Sequence, residues 1–351
     1  MNEKFEELLK IIEKEHKEEK DLTLNSRILI VDCLNNFIRI WVVMPTTNED
    51  GRHVGGIVGF LHTLGVSIRA LRPTRIFIVL DGKDSSKRRK KIFPDYKENR
   101  GSGTRLNRAY KWENEEEERK QMQYQLLRIV QYLKNLPITF ICIDSIEADD
   151  SISCLIDICK NKKELQELFI ISSDKDFYQL IDDRVKVWNP IKKEVVTKEN
   201  VLTRFNVSPN NFALYKSMVG DKSDNVPGIK GLGIKNINKH FSFLNEDKQY
   251  TVDNVLDYSH DHTDDARAFR LLSDNINQYI LNYKLMKLSN DNIPKSSVLK
   301  ITELFNKKIT EINLIHIYEL IKHDKIWNSF KNINEWITTN FSILNKFAKE
   351  S

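Results

Sequence analysis

Ile138-Thr139-Phe140-Ile141-Cys142-Ile143-Asp144-Ser145-Ile146-Glu147-Ala148-Asp149-Asp150 runs an apolar segment straight into a cluster of acids. Leu168-Phe169-Ile170-Ile171-Ser172-Ser173-Asp174-Lys175-Asp176 repeats the pattern after one intervening helical segment. Both apolar runs read as strands buried on two faces. Working outward, residues 27–31 end in Asp32 and residues 75–80 end in Asp81-Gly82. Residues 185–188 predict a fifth strand, with 194–197 returning. Strands alternating with helices predict an α/β fold with a doubly wound, mainly parallel sheet. Such sheets gather function outside their C-terminal strand ends, where these acids fall.

Packing gives no reason to collect so many carboxylates. Their mutual repulsion raises pKa values unless cations compensate. Asp32, Asp81, Glu147, Asp149, Asp150, Asp174, Asp176, Asp221 and Asp224 make nine, and setting them aside from the net charge of +5 leaves +14 on the rest of the chain. An acidic centre in a basic body suits a phosphodiester substrate cut at bound metal. Hard oxygen donors without His or Cys favour two Mg²⁺ ions, with Mn²⁺ able to substitute. Nine acids exceed what two such ions need directly, so some are expected to hold metal-bound water. A single Asp at a strand end is ordinarily a cap or turn residue. The pair Asp174 and Asp176 alone would also fit a receiver domain or an aspartyl-phosphate phosphatase. Neither alternative accounts for Glu147, Asp221 and Asp224.

The 351 residues are 40% hydrophobic and 30% charged, a soluble composition with room for a sizeable core. No apolar run approaches the ~20 residues of a membrane span, and the start, Met1-Asn2-Glu3-Lys4, has no signal-peptide character. We expect an intracellular, cytoplasmic monomer. Cys33, Cys142, Cys154 and Cys159 lie in or beside apolar stretches and read as reduced core residues.

Residues 5–21 predict an amphipathic helix packed on the body. Residues 54–71 have helical apolar spacing, weakened by Gly55, Gly56, Gly59 and Gly65. Lys87-Arg88-Arg89-Lys90-Lys91 precedes Phe93-Pro94-Asp95-Tyr96-Lys97-Glu98-Asn99-Arg100, a basic segment with interleaved aromatics that suits a nucleic-acid backbone, a solvated loop being the equal alternative for the lysine-arginine run. Residues 113–118, five glutamates and Asn114, make an acidic run opening a helix to Leu136. Beyond 198 the chain reads as helical, interrupted by Val219-Gly220-Asp221-Lys222-Ser223-Asp224-Asn225-Val226-Pro227-Gly228 and by the glycines of Gly228-Ile229-Lys230-Gly231-Leu232-Gly233-Ile234-Lys235, whose spacing lets backbone N–H groups approach a phosphate.

In this order the motifs closely resemble the structure-specific 5′-nuclease family of flap endonucleases, polymerase I 5′-nuclease domains and phage 5′-exonucleases. Ile170-Ile171-Ser172-Ser173-Asp174 and the overall size look most like its T-even phage ribonuclease H branch. The resemblance implies a PIN-like core at 27–200 with a basic helical arch around 83–125. It implies a helical subdomain with a helix-three-turn-helix at 201–290, flanked by residues 1–26 and 291–351. It places Asp32, Asp81, Glu147 and Asp149 at one metal, with Asp149 near both, and Asp150, Asp174, Asp176, Asp221 and Asp224 at the other. Lys97 and Arg100 would neutralise the scissile phosphate, and Tyr96 would help place a nucleobase. Arg88, Arg89, Gly228, Lys230, Gly231, Gly233 and Lys235 would contact nucleic acid, with K⁺ at the turn.

These features lead us to expect a magnesium-dependent 5′-3′ exonuclease and flap endonuclease. Its substrates would be 5′ flaps, nicked or branched DNA and RNA–DNA hybrids, and it would remove RNA primers in replication. A sliding clamp and a single-strand-binding protein are candidate partners. The rivals are a non-catalytic nucleic-acid scaffold and a PIN-type single-strand ribonuclease. Residues beyond 290 carry no catalytic motif and leave partner contact and simple packing open.

Overall fold

Each of the five apolar runs forms a strand. The computed structural model describes residues 22–99 and 106–350; the helix expected at 5–21, and Arg100, lie outside them. The chain runs β1 (Arg27–Asp32), α1 (Cys33–Val43), α2 (Gly55–Leu71), β2 (Arg75–Asp81), α3 (Lys87–Ile92), α4 (Glu115–Leu133), β3 (Thr139–Ile143) and α5 (Ala148–Lys160). It continues through β4 (Glu167–Ile171), a 3-10 turn (Lys175–Leu180), β5 (Val185–Asn189), β6 (Glu194–Val196), α6 (Lys198–Phe205), α7 (Phe212–Val219), β7 (Gly220–Asp221) and β8 (Val226–Pro227). Six helices follow: α8 (Ile234–His240), α9 (Val252–Asp261), α10 (Arg267–Asp274), α11 (Ile276–Met286), α12 (Lys295–Asn306) and α13 (Leu314–Asp324), before α14 (Ile333–Glu350) closes the chain.

The main sheet has the order β3-β2-β1-β4-β5-β6. Its first five strands in sequence are parallel, and β6 returns antiparallel to β5. The chain winds one way from β1 to β3 and the other way from β4 to β6. The direction therefore reverses between β1 and β4, the crevice where doubly wound sheets bind ligands.

Each sheet face carries one apolar core. On one, Ile152 and Leu155 of α5 cover Ile28, Ile30, Phe77 and Val79, and the same core continues through Phe212, Leu232 and Tyr279 to Phe305 of α12. On the other, Phe37, Trp41, Leu61 and Ile129 pack with Ile321, Phe341 and Leu344. The first core runs across positions 200 and 290 without a break, whereas the second joins residues before 200 to residues beyond 310. Residues beyond 290 supply side chains to each.

Gly56 and Gly59 of α2 do not break the helix because they give α1 a smooth face. A Cβ on Gly56 would lie 2.7 Å from the Phe37 ring, and one on Gly59 would lie 2.5 Å from Ile40. The limb returning toward α4 is pinned beside that contact. His53 sits among Trp41, Tyr110 and Trp112, with Nε2 2.7 Å from the Met44 carbonyl and Nδ1 3.2 Å from Gln125 Nε2. Gln125 Oε1 accepts from the Gly56 N–H at 2.9 Å, which fixes its orientation.

Candidate active site

Asp32 ends β1 and caps α1, accepting from the Asn35 N–H at 3.3 Å. Ser172, just past β4, donates to Asp32 Oδ2 at 3.0 Å, and Asn36 donates to the Asp32 and Ile171 carbonyls at 2.7 Å each. Three polar side chains thus tie the β1 and β4 exits together. Asp81, ending β2, accepts from the Ala148 N–H at 2.8 Å and so fixes the start of α5, the helix that carries Asp149 and Asp150. Asp174 caps the 3-10 turn through the Asp176 N–H at 3.0 Å.

The electrostatics match this convergence. Burial, reinforced by Asp174 and Asp81, raises the Asp32 carboxyl to about 7. Burial and the charges of Asp174 and Asp32 push Asp149 well above the ordinary range. Burial and Asp174 raise Asp176 to about 7, against the pull of Lys216. Asp174 is the charge common to all three.

Cations of the chain occupy several of the acids. Lys97 Nζ stands 2.9 Å from Glu147 Oε1 and 4.0 Å from Asp224. The Tyr96 hydroxyl lies 2.9 Å from Asp224 Oδ2 and 3.1 Å from Glu147 Oε2, so its one proton is shared between them. Asp224, expected with Asp176, therefore stands beside Glu147. Lys216 bridges Asp176 at 2.8 Å and Asp221 at 2.5 Å. With these pairs formed, no group of three or more His, Cys, Asp or Glu side chains among the described residues is arranged to hold a metal ion.

Three expectations for the basic segment need correction. Arg89 is 4% exposed and points inward. It makes a two-armed ion pair with Asp150 at 2.7 and 2.9 Å, reaches Glu147 at 2.9 Å and donates to the Leu285 carbonyl at 2.8 Å. It cannot lie on a nucleic-acid backbone; it joins α3 to α5 and α11. Asp150 also takes Arg88 at 2.9 Å and has a fully buried side chain, so it serves arginines where a metal was expected. Arg88 also donates to the Asn292 carbonyl, which leaves it facing the protein. Tyr96 is 3% exposed, packed with Val226, Leu285 and Met286, and offers no face to a base.

A sequence model described as the 5'-3' exonuclease, N-terminal resolvase-like domain matches residues 27–206, just over half of the chain. The chain belongs to the 5′-3′ exonuclease family. Its relatives are nuclease hydrolases. It is 34% identical over 213 residues to a 5′-3′ exonuclease of Aquifex aeolicus, covering 60% of this chain and 65% of that protein. It is 30% identical over 210 residues to the flap endonuclease Xni of a Shewanella species, covering 60% and 72%. The bacteriophage T5 D15 protein co-crystallized with metal ions superposes with a TM-score of 0.58 over 85% of this chain and 98% of that one, at 18% identity. That likeness establishes the shared fold.

In this 5′-3′ exonuclease family member the glycine turn divides by cause. A Cβ on Gly228 would stand 2.0 Å from the Val219 carbonyl oxygen, where β8 crosses β7, so this glycine serves the hairpin that holds Asp221 and Asp224. Gly231 has φ +95, which a side chain would strain. A Cβ on Gly233, ahead of α8, would meet nothing within 4 Å. Lys230 and Lys235 are exposed beside it. Lys216, Ser172 and Asn36 were missed in the sequence. Lys216 alone left a signal, a basic residue close before Asp221 in the chain.

Proposed function

We propose that this family member is a divalent-metal-dependent, structure-specific 5′ nuclease, acting as 5′-3′ exonuclease and flap endonuclease on 5′ flaps, nicked or branched DNA and RNA–DNA hybrids. The observation that carries the reading is the meeting of Asp32, Asp149 and Asp174 by the switch point between β1 and β4, where the charge of Asp174 adds to burial in raising the carboxyls of Asp32 and Asp149. The donor set fits hard divalent cations: it is all carboxylate oxygen, and burial with repulsion leaves negative charge for a cation to offset. Asp32, Asp81, Glu147, Asp149, Asp174, Asp176, Asp221 and Asp224 are the acids that would hold Mg²⁺ or Mn²⁺, directly or through water. Bound there, two ions would activate the attacking water and stabilise charge on the phosphate.

The chain's own residues prepare that step. Ser172, Asn35 and Asn36 fix Asp32, and Asp81 holds the helix start that bears Asp149. Lys97, 15% exposed at its side chain, supplies a positive charge next to Glu147 that can turn to the scissile phosphate. Arg100 would add a second. Arg89 keeps Glu147 in place while saturating Asp150. Lys230, Lys235 and the open backbone at Gly233 would grip duplex phosphates without reading bases, with K⁺ at the turn.

RNA-primer removal, kinship with the T-even ribonuclease H branch, action as a cytoplasmic monomer, and partnership with a clamp and a single-strand-binding protein belong to the same proposal. The test is cleavage of a labelled 5′-flap DNA and an RNA–DNA hybrid, with and without Mg²⁺, by the native chain and Asp174→Ala. Mg²⁺-dependent cleavage lost in the variant supports the reading. Equal cleavage by both proteins overturns it; no cleavage by the native chain also overturns it and favours a scaffold. Cleavage confined to single-stranded RNA would favour a PIN-type ribonuclease.

A further inference from the structure

Lys216 projects from α7 between two carboxylates that come from different parts of the chain, Asp176 after β4 and Asp221 in β7. Its side chain is 13% exposed, so the ammonium has given up most of its water for these two partners. Burial opposes its charge, yet Asp176 and Asp221 outweigh burial and push its pKa above the ordinary lysine range. Asp221 is lowered, against its own burial, by the same contact. The pair sits beside Asp174, the charge shared by the whole centre. Any divalent ion ligated by Asp176 and Asp221 must take the position between them that the Lys216 ammonium fills.

We infer that Lys216 is a built-in place-holder for the divalent ion of the second site, so that ion binding there is an exchange in which the ammonium leaves the gap between Asp176 and Asp221. The inference rests on the metal-dependent reading above. An ammonium in the gap keeps the metal-free centre folded and makes the second ion bind more weakly than the first. It also makes occupancy respond to anything that draws Lys216 away, a substrate phosphate being the obvious anion. Removing the charge removes the ion pairs that this exchange must break, which at a near-surface effective dielectric amounts to roughly a tenfold or greater change in affinity.

The test is Mg²⁺ and Mn²⁺ binding to the full chain by titration calorimetry, with thermal unfolding in EDTA and in Mg²⁺. The native chain is compared with Lys216→Met, Lys216→Gln and Lys216→Arg. The expected result for Lys216→Met and Lys216→Gln is a second ion that binds at least about tenfold more tightly, a lower Tm in EDTA and a larger rise with Mg²⁺. Lys216→Arg should keep the native affinity. A second site of unchanged or weaker affinity in both neutral variants overturns the place-holder, leaving Lys216 as a brace for its carboxylates, while the functional reading survives. A native chain that binds no divalent ion overturns both.

Discussion

The Arg89 guanidinium grips both oxygens of Asp150, with N–O distances of 2.7 and 2.9 Å to one and the other, inside the protein. This pair fastens the first helix of the basic segment to the helix that opens with the acidic motif. Arg89→Met leaves Asp150 buried with only Arg88, and breaking such a pair costs about 3–5 kcal/mol. Urea unfolding should show that loss in the single variant and a smaller one in Arg89→Met/Asp150→Leu, where neither charge remains. Equal losses would mean that the pair contributes only by packing.

Tyr96 contributes its hydroxyl, not its ring face. Tyr96→Phe keeps the apolar contacts with Val226 and Met286 but strips a donor that Glu147 and Asp224 share, leaving Glu147 with Arg89 and Lys97. Loss of a hydrogen bond to a charged group costs about 1.5–3 kcal/mol, so cleavage should fall by roughly tenfold or more. A base-stacking tyrosine would tolerate phenylalanine, and full activity in the variant would restore that role.

The acids set an unusual pH response. In the folded chain Asp32 and Asp176 hold protons up to about 7, whereas the unperturbed value is 3.8. The folded state therefore binds more protons than the unfolded one, and the stability these groups give is full below 3.8 and lost as pH rises through about 7. In EDTA the Tm should fall between about pH 5 and about pH 8, and Mg²⁺ should flatten that fall. A Tm that rises over this window would contradict the raised carboxyls.

Gly228 and Gly233 should separate cleanly. Gly228→Ala drives a methyl into the Val219 carbonyl and disturbs the hairpin that presents Asp221 and Asp224, so both stability and cleavage should drop, stability by about 2 kcal/mol or more. Gly233→Ala meets no atom and should leave Tm within a degree or two while weakening duplex binding in a gel-shift titration. Unchanged binding would remove Gly233 from the nucleic-acid surface.

The sheet was legible because parallel strands covered on both faces leave continuous apolar runs, and residues 27–31 and 168–171 carry no other plausible reading. The acids were legible for the same reason, standing where those runs stop. The directions of Arg88 and Arg89 were not. In Lys87-Arg88-Arg89-Lys90-Lys91 every position has the same charge, so no periodicity marks the inward face of so short a helix. Tyr96 misled by its polar neighbours, although its partners Val226 and Leu285 lie far along the chain. The α2 glycines lowered the helical expectation because a propensity counts the isolated helix, whereas close packing on Phe37 and Ile40 decides it here.

The contact between Ser172 and Asp32 joins positions 140 residues apart. A chain growing on a ribosome therefore presents Asp32 and Asp81 well before it contains β4, the strand that closes the crevice beside β1. Long-range parallel pairing of this kind is slow to form. Until β4 arrives, the emerging polypeptide has acids but no crevice to hold them, so the site proposed for cleavage is assembled late in synthesis.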